Sequence, residues 1–165
     1  MNQKLPFHFT YLIEVIKDGV VVDSEVVDNI VPTEGLNHVL NTVFKGGPQI
    51  ASWYLGVFKG NYTPVPGDTA ATLPGAAVES ADYVGTNRIA FTPGIVAGGA
   101  VSNSTAVAEF SFTTEATIYG GFMTSAQARG ATTGTLMSVV KFASAKAVDA
   151  GALLRVTAGV TLNSV

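Results

Sequence analysis

Phe7-His8-Phe9-Thr10-Tyr11-Leu12-Ile13-Glu14-Val15-Ile16, followed by Asp18-Gly19 and then Val20-Val21-Val22-Asp23-Ser24-Glu25-Val26-Val27, is the stretch that sets the class of fold. Phe7, Phe9, Tyr11, Ile13 and Val15 recur at every second residue, which is the period of a strand whose side chains alternate between two faces. Asp-Gly between two such runs marks a two-residue type I′ turn, because both central residues of that turn take positive φ. The stretch therefore reads as a β-hairpin. Leu12 and Ile16 add apolar groups to the second face, so the hairpin is expected to be covered on both sides, by the domain or by a neighbouring molecule.

Beyond the hairpin the period changes once. Leu36, Val39, Leu40, Val43 and Phe44 fall at helical spacing after Thr33, a candidate cap, and Gly46-Gly47-Pro48 ends the run. This predicts one amphipathic helix of about three turns whose apolar stripe lies on a sheet. Strand signals then resume at 50–58, 87–91, 94–101, around Phe110 and Phe112, at 117–124, at 135–142 and at 153–162, with a Pro- and Gly-rich loop over 59–86. Strands and helices do not alternate, so the expected class is all-β: a β-sandwich or jelly roll with an N-terminal β-hairpin and one short α-helix. Residues 1–29 are expected to form the hairpin, as an arm packed on or extending from the core, and residues 30–165 the sandwich.

The 165-residue chain is long enough for a genuine core. Charged residues make up only 13% of it, about half the ~25% of an average soluble domain, which suggests a surface partly covered by other protein. Acids outnumber bases nine to four in residues 1–83, and bases outnumber acids five to three in residues 84–165. The nine bases are scattered, without the cluster that phosphate contacts require, so no nucleic-acid partner is expected. The start of the chain shows no signal-peptide pattern, and no apolar run reaches about 18 residues, so no membrane partner is expected either.

Residues placed to carry chemistry are few. The absence of cysteine excludes disulfides, thiolate metal sites and a Cys nucleophile. His8 and His38 are in no zinc-binding frame, and the phosphate-cradling, dinucleotide and nucleophile-elbow motifs do not occur. Asp23, Glu25 and Asp28 lack the spacing and glycine of a calcium loop and read as a solvated strand edge. Glu109 and Glu115 read as solvent-face residues, His38 as a packing or surface residue, and Trp53 as a core residue in a strand. The sequence thus predicts no catalytic residue, no cofactor and no metal, and a protein that is not an enzyme.

Two groups of segments carry a resemblance. Residues Ile30-Val31-Pro32-Thr33-Glu34-Gly35-Leu36-Asn37-His38-Val39-Leu40 and Gln49-Ile50-Ala51-Ser52-Trp53-Tyr54-Leu55-Gly56-Val57 form the first; Ala116-Thr117-Ile118-Tyr119-Gly120-Gly121-Phe122-Met123-Thr124 and Gly130-Ala131-Thr132-Thr133-Gly134-Thr135-Leu136 form the second. Over residues 29–162 the chain resembles a family of tailed-bacteriophage virion proteins often encoded beside the major capsid gene. The resemblance implies a capsid cement (decoration) protein on the capsid exterior of the virion, made in the bacterial cytoplasm. Its implied partners are the major capsid protein and further copies of itself, a trimer fitting the local threefold positions of a shell. A tail or fibre component that binds a host surface is the alternative. Contacts are expected from the hairpin, through Phe7, Phe9, Tyr11, Leu12 and Ile16, and from the long loop, through Tyr62, Pro64 and Pro66.

Overall fold

The computed structural model describes residues 7–163, so residues 1–6 and 164–165 of the two expected units lie outside the described residues. In chain order the elements are β1 (Phe7–Lys17), β2 (Val20–Asp28), α1 (Thr33–Phe44), β3 (Trp53–Phe58), the single turn α2 (Leu73–Ala76), β4 (Ile89–Phe91), β5 (Ala100–Ser102), β6 (Ala108–Ser111), β7 (Ala116–Thr124), β8 (Leu136–Val148) and β9 (Leu153–Leu162). The Asp18-Gly19 turn has φ of 50° and 77°, as a type I′ turn requires, and joins Lys17 to Val20 directly across the ladder. The β1–β2 ladder carries one bulge, because Val15 faces Asp23 and Ile16 faces Val21, which leaves Val22 of β2 as the extra residue; Val15 and Ile16 are both buried.

Two antiparallel sheets face each other. One has the order β2-β1-β9, with β5 and β6 pairing end to end along the far edge of β9; the other has the order β4-β3-β7-β8. The flanks close where β2 meets β8 and where β4 meets β6. The β1–β2 pair lies in the first sheet and the β7–β8 pair in the second, so the arrangement is a β-sandwich and does not establish the narrower jelly-roll winding.

The main core lies between the sheets. β1 supplies Phe9, Tyr11, Ile13 and Val15, which meet Leu55, Phe110, Ile118, Val140 and Leu154. Phe9, Tyr11, Ile13 and Val15 alternate with half-buried residues, so the period-two pattern fixes the face that turns inward. Of the two placements expected for the hairpin, it is packed on the core and does not extend from it: β1 is hydrogen-bonded to β2 on one side and to β9 on the other. One polar knot is buried with these side chains. The Tyr11 and Ser138 hydroxyls are 2.8 Å apart, Asn29 Nδ2 donates to Ser138 Oγ, and Asn29 Oδ1 accepts the Phe9 N–H at 2.8 Å. Burial pushes the Tyr11 phenol well above its ordinary range, more than the Ser138 hydrogen bond lowers it.

A second cluster lies on the outer face of the β3–β7–β8 sheet, under residues 59–80. Phe58, Leu73, Ala77, Phe122, Leu136 and Val139 form it, with Tyr62 and Tyr119 at its edge. Glycines make room for its rings. A Cβ at Gly56 would meet the Phe122 ring at 2.3 Å, and one at Gly120 would meet the Phe58 ring at 2.1 Å, so both rings occupy space that only glycine leaves free.

Candidate functional site

Helix α1 spans the expected residues, but it is rotated away from the expected face. Gly35 is its buried residue; Leu36, Leu40, Val43 and Phe44 are 41%, 55%, 66% and 78% exposed. The cause lies in the first turn. A Cβ at Gly35 would meet Met137 O at 2.8 Å and Leu136 O at 3.0 Å, so only glycine permits this close approach to the β8 backbone. Glu34 fixes the rotation, because its Oε2 accepts the backbone N–H groups of Leu136 (2.6 Å) and Ala70 (2.8 Å). Thr33 does not cap; Pro32 precedes the first turn and no side chain caps it, while the Thr33 N–H donates to Pro66 O. The inward side of the helix is Gly35, His38, Val39 and Thr42. His38 stands edge-on to Trp53 with 5.6 Å between ring centroids, and Val39 packs on the core.

The residues expected to make contacts are distributed differently from the expectation. Phe9, Tyr11 and Ile16 are at most 4% exposed, so their side chains belong to the domain's own interior. Phe7 is half-buried against the core, and Leu12 lies half-buried opposite Val26 on the outer face of its sheet. Tyr62 packs edge-on to Phe58 and its hydroxyl donates to Asp68 Oδ1, which raises the phenol pKa to about 12. Pro64 is half-buried and Pro66 exposed. Apolar surface is offered elsewhere, by the outward stripe of α1, by Val20, Val21, Val22 and Val26 on the edge strand β2, and by Ile95 and Val96 in the β4–β5 loop. The tip of β2 and helix α1 are at opposite ends of the sandwich: Lys17 at the tip meets Asp149, whereas α1 meets the start of β8.

The acidic residues of β2 hold a buried lysine. Lys146, 1% exposed, has its Nζ 2.9 Å from Glu25 Oε2, 3.2 Å from Asp23 Oδ1 and 3.0 Å from Ser144 Oγ. Glu25 also accepts the Ala143 and Ser144 N–H groups, and this clamps edge strand β2 onto β8. Partial burial pushes the Glu25 carboxyl up, but the Lys146 hydrogen bond and the two amides outweigh it and hold the group below its ordinary value. Burial likewise opposes the charged form of Lys146, and Glu25 and Asp23 more than offset it. For a depressed carboxyl, the stabilisation is complete above the ordinary carboxylate range and is lost as pH falls through the folded value; for a raised lysine it is lost only above its ordinary pKa of 10.5. Acid is therefore expected to loosen the β2–β8 clamp, seen as faster amide exchange in residues 20–27 and 143–146 at pH 3 than at pH 6 after correction for intrinsic rates. A Glu25→Gln variant should show the same loosening at pH 6.

Arg88 and Glu79 form a second buried pair, with side chains 1% and 3% exposed. Arg88 Nε and Nη2 donate to Glu79 Oε1 and Oε2, each at 2.8 Å, and its guanidinium also reaches Ala126 O and Ala131 O and lies 5.1 Å from the Phe122 ring centroid. Through Arg88, Glu79 of the 59–86 loop is tied to the 125–134 loop and to β7, so the longest irregular stretch is fastened in place. Glu109 pairs with Arg155 on the solvent face. Among the described residues no group of three or more His, Asp or Glu is placed to hold a metal, and no helix is long and apolar enough to cross a membrane. No protein-family model matches the chain, and no curated protein matches it.

Proposed function

We propose that this chain is a non-enzymatic structural protein of a tailed-phage particle, a capsid cement protein that binds the capsid exterior across subunit boundaries. The observation that carries the reading is the outward apolar stripe of α1. Four large side chains that helical periodicity would send inward instead face solvent, and the Glu34 and Gly35 contacts hold them there. Exposing such a stripe forgoes roughly 25 cal/mol for each Å² left in water, a cost that a partner surface would recover. The resemblance of residues 29–162 to capsid-adjacent virion proteins supplies the partner.

The action is mechanical. Each bound copy adds buried area where neighbouring capsid subunits would otherwise separate, and it stabilises the assembled shell by mass action. On a repeating lattice, and more so as a trimer, modest contacts combine through high effective concentration. The sparse surface charge suits such contacts, because few ions would need to be desolvated.

The test is a Leu40→Glu, Phe44→Glu double variant. Both side chains are more than half exposed, so the fold and melting temperature should hold. Capsid binding should weaken at least tenfold, the equivalent of about 1.4 kcal/mol. Unchanged binding by the folded variant would remove α1 from the interface.

A further inference from the structure

A cavity of about 380 Å³ lies at the end of the sandwich where β1 begins and β9 ends. Its wall carries four aromatic rings, Phe7, Phe9, Trp53 and Phe91, and the thioethers of Met123 and Met137. Gln49 contributes an amide, and among the described residues no ionisable side chain lines it. Both sheets contribute to the wall, so this is an opening into the interior between the layers, distinct from the outward face of α1. The strands β4 and β5 that border it are only three residues long and do not extend far enough to close the layers.

We propose that this cavity is a binding site for an uncharged aromatic small molecule of two or three rings. The volume sets the size: an apolar cavity of about 150 Å³ already takes benzene, and small-molecule sites begin at roughly 300 Å³. The wall sets the charge, because an ion entering would lose its hydration with no counter-charge to replace it. The rings and sulfurs set the aromatic preference. Phe7 and Phe9 stand edge-on to one another at 5.7 Å, a geometry a further ring can extend, and methionine sulfur packs favourably on ring edges. Trp53 gives the site its own reporter, being the single tryptophan of the chain. The site does not depend on capsid association.

The probe is N-phenyl-1-naphthylamine, an uncharged fluorescent arylamine whose absorption overlaps tryptophan emission. Titration into the full chain should give a saturable rise in probe emission at one site per chain, together with quenching of Trp53. Naphthalene should compete, and the anion 1-naphthoate should not. Val101 and Val160 border the cavity and are half-buried, so Val101→Phe and, separately, Val160→Phe should each weaken the probe at least tenfold. The Leu40→Glu, Phe44→Glu variant should bind it as the parent does. The proposal is overturned by the absence of saturable binding, by probe binding without Trp53 quenching, by equal competition from 1-naphthoate, or by full affinity in a folded cavity-filling variant. If neither filling variant folds, quenching and the two competitors still decide.

Discussion

A chain lacking residues 1–29 should have no cooperative melting transition and no near-ultraviolet circular dichroism. The deletion removes Phe9, Tyr11, Ile13, Val15 and Ile16, all at most 4% exposed, at roughly 1.5–3 kcal/mol of burial each. Their sum is comparable to the ~5–15 kcal/mol that holds a typical domain together. It also strips the ladder from β9, whose residues Leu153–Leu162 all pair with β1, and leaves Ser138 without Tyr11 and Asn29. A truncated chain that still melts cooperatively would mean that the remaining strands form a core of their own, and the hairpin would then be the appendage its sequence suggests.

Glu79→Ala is expected to cost about 3–5 kcal/mol in urea unfolding, the range for removing one partner of a buried ion pair. The variant leaves the Arg88 guanidinium inside the protein with only the Ala126 and Ala131 carbonyls and the Phe122 ring, and it removes the acceptor of the Gly130 N–H. Adding Arg88→Met should recover part of the loss, because an apolar side chain over Phe122 carries no charge to desolvate. A loss below about 1 kcal/mol in the single variant would show that water reaches Arg88 and that the loop is not sealed.

Most strands were legible because their chemistry is local, although 94–101 is strand only at its end, in β5, and β8 runs six residues past the expected 142. Asp18-Gly19 specified its turn, period two in β1 specified the buried face, and β9 begins and ends where the apolar run does. The rotation of α1 was not, because it depends on contacts distant in sequence. Glu34 is 102 residues from Leu136, and the apolar stripe alone cannot show that a glycine beside it packs closer to the sheet. Gly35 in the first turn of an otherwise good helix was the available signal. The same distance hid the roles of Glu25, Asp23 and Glu79, whose partners Lys146 and Arg88 lie on other elements. The contacts expected of Phe9, Tyr11 and Ile16 failed for a simpler reason: β1 is an interior strand of its sheet, and all three side chains are buried within the domain.

Co-sedimentation of the purified protein with mature capsids that lack it, combined with a heat-challenge assay of DNA release, decides whether the protein is a capsid cement. A cement protein should bind saturably at a fixed number of copies per capsid subunit and shift DNA leakage to higher temperature. Failure to bind, or binding that leaves the leakage temperature unchanged, would contradict a cement role. Failure to bind would turn attention to the tail and to host surfaces.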